Sequence, residues 1–184
     1  SEQSIISISN FEIFGGQDIS FAGVGGISIQ GNSSVIFNNS EIRNNYGDLG
    51  GGISIYGANA KLELNSTNVR NNISDGSGAG IYCEAGSEVV IQNESNIRSN
   101  LSYDNGGGVF AISQCKITLA TGDNNPISTI RNGIVGNSAR NFGGGIYAGS
   151  GSKIFITGNA MHPASVSLNS TFVSRIENTG GGIY

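Results

Sequence analysis

Charged residues are scarce in this sequence. They make up 12% of its 184 residues, with a mild formal net charge of −4. That excludes the basic footprint by which a domain holds nucleic acid, so nucleic acid is not an expected partner. Long apolar runs are missing too. None approaches the ~18 residues of a membrane span, so this segment is not expected to insert into a membrane. No window carries a convincing 3.6-residue apolar repeat or a helix-capping pattern, which excludes a helical architecture. Histidine occurs once, as His162 in the loop sequence Asn159-Ala160-Met161-His162-Pro163, and there is no Asp-Asp pair, no Gly-His-Gly and no basic cluster beside an acidic one. Hydrolysis of an acidic polysaccharide needs clustered carboxylates for the acid and base roles, with cations to hold the uronate. The chain is therefore expected not to be an enzyme, and no metal or cofactor is expected. Two prolines and the lack of tryptophan exclude little. The sequence opens on Ser1 without a secretory leader and closes on Gly180-Gly181-Gly182-Ile183-Tyr184, the start of another repeat. No capping segment is legible at either end, so a piece of a longer array is expected.

Glycine and asparagine are what the chain has in abundance, 30 and 23 residues. The glycines are in register. Gly25-Gly26-Ile27, Gly51-Gly52-Ile53, Ala79-Gly80-Ile81, Gly107-Gly108-Val109, Gly144-Gly145-Ile146 and Gly181-Gly182-Ile183 recur, with steps of 26, 28, 28, 37 and 37 residues between their last glycines. Gly15-Gly16 belongs to an earlier, poorer copy. A fixed period in the twenties is the signature of a solenoid. Three strand-like pieces fill each period: one after the glycines (Ile53-Ser54-Ile55), one of alternating apolar and polar residues (Leu62-Glu63-Leu64), and a short Ile/Val-Arg-x-Asn piece (Val69-Arg70-Asn71-Asn72). The predicted fold is all-β: a right-handed parallel β-helix, a single segment over residues 1–184, with three short strands per coil and about six to seven coils. Alternate residues point inward, so Ile53, Ile55, Leu62, Leu64 and Val69 stack on their counterparts in the next coil. Corners between strands need positive φ, which glycine and asparagine tolerate best. Asn45, Asn72, Asn100 and Asn137 share one corner, where an amide ladder satisfies backbone groups.

Four features are candidates for function. Tyr82, Phe110, Tyr147 and Tyr184 all stand two residues after the last glycine, where alternation points them outward; earlier coils have Ser28 and Ser54 there. Such a column of exposed rings is a candidate interface or glycan platform. Seven Asn-x-Ser/Thr sequons, at Asn32, Asn38, Asn65, Asn72, Asn93, Asn100 and Asn169, are candidate N-glycosylation sites. Cys83 and Cys115 lie one coil apart. A disulfide stapling adjacent coils and a pair of small core thiols both remain open. Arg43, Arg70 and Arg98 are followed by Asp48, Asp75 and Asp104, which favours an Arg–Asp pair at one corner of every coil over a calcium-binding Asp ladder or an Arg ladder for anionic sugar.

The pattern Gly-Gly-Gly-Ile-Tyr, then an Asn-terminated strand, then Ile-Arg-x-Asn, resembles the repeats of the chlamydial polymorphic membrane protein family over nearly the whole chain. Those repeats carry Gly-Gly-Ala-aliphatic and Phe-x-x-Asn motifs. Here glycine replaces the alanine, and Ile42, Val69, Ile97 and Ile134 replace the phenylalanine. The resemblance implies a β-helix passenger of a surface adhesin, located extracellularly or at the cell surface. The expected function is thus a non-catalytic adhesin or structural stalk, whose partner is a host-cell receptor or glycan. One alternative is a filament building block that associates with itself end to end or side by side. A polysaccharide-binding or polysaccharide-degrading β-helix is the other.

Overall fold

The computed structural model describes residues 4–120, 133–158, 164–172 and 182–183. Every regular element among them is a β-strand, and every pairing is parallel. One coil shows the plan: Ile53–Tyr56, Lys61–Asn65, Asn68–Arg70 and Ile73–Ser74. The next repeats it with Ile81–Glu84, Glu88–Gln92, Asn96–Arg98 and Leu101–Ser102. Stacking of like strands makes three six-stranded sheets and one five-stranded sheet, about five turns of a parallel β-helix. Ile183 bridges to Ile146 at the start of a further coil. The fourth strand was not expected. It is two residues long, too short for alternation to show in the sequence.

Register places like on like. Ile42, Val69, Ile97, Ile134 and Val166 pair in sequence, and the first four have no exposed surface. Leu62, Val89 and Ile117 form a second fully buried column, and Ile53, Ile81, Val109 and Ile146 a third. Each buried side chain of this size stabilises the fold by about 1.5–3 kcal/mol relative to exposure. The inner face of every coil is thus a slice of one continuous apolar core.

The glycine register has two physical causes. Gly78 adopts φ +74, a left-handed backbone that L side chains avoid. Gly108 is required by proximity instead. A Cβ there would lie 2.6 Å from the carbonyl oxygen of Gly145 in the next coil and 3.0 Å from Nδ2 of Asn137. Alanine in that position, as the resembling repeats carry, would push the coils and the asparagine corner apart. The corner after each arginine-bearing strand is also left-handed, held by Asn44, Asn71 and Ser99 at φ 54, 54 and 56.

Candidate functional site

The asparagine corner is a closed polar network rather than a binding surface. The Oδ1 of Asn100 accepts from Asn72 N (3.0 Å) and Asn72 Nδ2 (3.1 Å), and its Nδ2 donates to Val69 O (3.0 Å) and Asn137 Oδ1 (2.9 Å). All four hydrogen-bonding positions of the amide are filled. Asn72 and Asn137 repeat the arrangement, Asn45 starts it with its Oδ1 accepting from Gly16 N (2.9 Å), and Asn169 is a fifth rung, accepting from Asn137 and donating to Ile134 O at 2.8 Å. This corrects part of the sequon reading. Asn72 and Asn100 are at most 1% exposed, so no glycan fits on either, and Asn169 is half-buried in the same ladder. The other sequon asparagines, Asn32, Asn38, Asn65 and Asn93, are half-buried. A hydroxyl ladder at the preceding corner escaped the sequence reading. Thr67 N donates to Ser95 Oγ (3.0 Å), and Ser40 N to Thr67 Oγ1 (3.2 Å).

The arginine column finds partners other than those expected. Arg43 pairs with Glu12 and, at 3.7 Å, with Glu41; Arg70 pairs with Glu41. The Arg70 guanidinium, hydrogen-bonded to Glu41, holds that carboxyl below its ordinary value. The aspartates fix turns instead. Asp48 accepts from Ala22 N (2.8 Å), Asp75 from the Tyr46 hydroxyl (2.5 Å) and Asp104 from Ser77 Oγ (2.7 Å). Among the described residues, no three His, Cys, Asp or Glu side chains are grouped so as to hold a metal. Cys83 and Cys115 are joined by a disulfide with Cα atoms 6.0 Å apart, linking one coil to the turn of the next. His162 lies outside the described residues.

The aromatic column exists, and it is stacked. Tyr82 and Phe110 lie 5.3 Å apart between ring centroids with 19° between planes, and Phe110 and Tyr147 4.9 Å apart with 11°. It is not the exposed column that alternation implied. Tyr82 is 7% exposed and Phe110 9%, while Tyr147 is half-buried; Tyr184 is outside the described residues. The rings do point away from the apolar core. The rings bury one another by stacking, and the turn that enters each strand packs at their base: a Cβ on Gly78 or Gly106 would meet the Cα of Tyr82 or Phe110 at 2.8 Å. Burial pushes the Tyr82 phenol far up, assisted by its hydrogen bond to Glu84 Oε2 (2.8 Å) and the charge there.

Where the rings stop, a cavity of about 520 Å³ begins. Its floor is the outer face of three consecutive strands: Ser28 and Gln30, then Ser54 and Tyr56, then Tyr82 and Glu84, paired in that register. Its wall is the turn from Asp18 to Val24, with Leu49. The wall is tied down, since Gly23 O accepts from Asp48 N (2.8 Å) and Leu49 N (3.1 Å). Gln30 Nε2 donates to Ser28 Oγ (2.9 Å), and Asp18 Oδ1 accepts from Ser20 N and Oγ (3.0 and 2.6 Å). Those two hydrogen bonds hold the Asp18 carboxyl below its ordinary value. Among the described residues, no histidine, lysine or arginine lines the cavity. Sequence reasoning noted the serines at 28 and 54 but not the void they leave. Comparison with protein-family models, with known proteins and with solved structures returned no match.

Proposed function

We propose that the chain is a non-catalytic extracellular β-helix module that serves as a surface adhesin or structural stalk. The observation that carries this reading is the asparagine ladder, which locks successive coils together with fully satisfied buried amides and favours a stiff rod over a mobile catalytic cleft. The Cys83–Cys115 disulfide adds support, because such bonds persist in oxidising compartments outside the cytosol. The likeness of the repeats to polymorphic membrane proteins points the same way. Immunogold labelling of intact producing cells is the test. Surface or secreted label is expected, and label seen only after permeabilisation would sink the proposal.

A further inference from the structure

We propose that the cavity between Ser54 and the Asp18–Val24 turn is a binding subsite for a neutral sugar, one or two pyranose rings of an uncharged glycan. Three observations converge on this. The first is shape. In the coils above, the same position holds Tyr82, Phe110 and Tyr147 as rings about 5 Å apart, whereas Ser54 is a small buried residue and Ser28 is exposed, so the column opens into ring-sized space at Ser28. A volume of about 520 Å³ suits a small ligand of that kind. The second is charge. Asp18 and Glu84 border the space with no Lys, Arg or His among the described residues that line it, which repels a uronate or sialic acid and welcomes groups that donate hydrogen bonds. The third is the distribution of polarity. Carboxylate, amide and hydroxyl oxygens are spread around the floor and wall, while Val24, Leu49 and Tyr56 supply apolar surface. A pyranose has that same division, with hydroxyls around its edge and C–H groups on its faces. A compact organic cation would use the acids but leave the spread of hydroxyl partners unused.

This inference goes beyond the stalk reading and stands on the cavity alone; a stalk without a sugar site is still a stalk. The test is a titration of the ¹⁵N-labelled chain with methyl glycosides of glucose, galactose, mannose and N-acetylglucosamine, with glucuronic acid and choline as controls. At least one neutral glycoside is expected to give saturable amide shifts at residues 18–30, 49–56 and 82–84, with Kd of order millimolar, and glucuronic acid is expected to bind at least about tenfold more weakly. Ser28→Tyr places a ring in the cavity at the exposed position of the same column, and should abolish those shifts while circular dichroism stays unchanged. Glu84→Gln is the second variant, expected to weaken binding by about tenfold without filling the space. The proposal is overturned if no neutral glycoside perturbs these amides, if choline alone does, or if both folded variants bind as the parent does.

Discussion

Asn100 concentrates the physics of this molecule in one side chain. Removing its amide strands the backbone N–H of Asn72 and one N–H of its Nδ2 and takes a donor from the carbonyl of Val69, all inside the protein, while Asn137 Oδ1 keeps the backbone N–H of Asn100. Each buried group left without a partner costs about 1–3 kcal/mol, so Asn100→Ala is expected to lose at least about 3 kcal/mol, read as a lower urea midpoint. Asn100→Asp keeps the shape and should do no better, because its oxygen would face two acceptors. Ser99, next to it, behaves oppositely. It holds φ 56 where Asn44 and Asn71 hold 54 in the coils before, and asparagine tolerates that region better than serine. Ser99→Asn is expected to raise stability by about 0.5 kcal/mol, and an unchanged or lower midpoint would refute the strain assigned to that corner. The four-residue corner ladder was legible because Asn45, Asn72, Asn100 and Asn137 all stand seven or eight residues before the last glycine of their clusters. Asn169 was not, since the longer coil spreads that spacing and the residue reads as a sequon. A tripeptide match is blind to burial, which is why Asn72 and Asn100 read as glycan acceptors too.

At the scale of the element, the strand that follows each glycine cluster departs from the simple picture of one face in and one face out. Its inner residues, Ile81 and Cys83, join the core, while Tyr82 on the other side is buried against the stacked ring of Phe110, with the entry turn packed at its base. Period-2 alternation reports direction only. Stacking across coils leaves no mark in the alternation of one strand, so position was readable and burial was not. Partner choice failed for a related reason: the acid nearest Arg70 in sequence is Asp75, but the acid it meets is Glu41, one coil away. The covered ring has a measurable consequence. The Tyr82 phenol is held above its ordinary value, so the folded state keeps a proton that the unfolded chain gives up at about pH 10. Its contribution is complete below that pH and is lost as pH rises toward the folded value. The Tyr46 phenol is also held above its ordinary value, by its hydrogen bond to Asp75, so absorbance at 295 nm should show a late phase that Tyr82→Phe reduces. A late phase of unchanged amplitude after the substitution would place the buried phenol elsewhere.

The whole molecule is a one-dimensional stack in which each coil contacts mainly the coil before and the coil after. Stability in such an array is a sum of coil and interface contributions, so a local perturbation need not spread to the far end. The disulfide tests that property. It closes a loop between residues 32 apart, Cys83 in one coil and Cys115 in the next, which in the chain-entropy picture stabilises by about 3–4 kcal/mol. Position in the stack decides who receives that stabilisation. The strands Glu88–Gln92 and Asn96–Arg98 lie inside the loop, whereas Ser33–Asn38 and Glu41–Arg43 lie two coils away. In a fully cooperative domain, breaking the bond would lower the protection of every buried amide equally. In a stack of coupled coils, protection should fall most between residues 81 and 119 and least around 33–43. Hydrogen exchange on the double variant Cys83→Ala, Cys115→Ala distinguishes these outcomes, because alanine already fills the Cys83 position in the next two coils at Ala111 and Ala148. A graded loss, steep between the former cysteines and shallow toward the first coils, is the expected result. A uniform loss would mean that the asparagine ladder and the apolar columns bind all the coils into one unit, and the chain would then unfold as a single block rather than coil by coil.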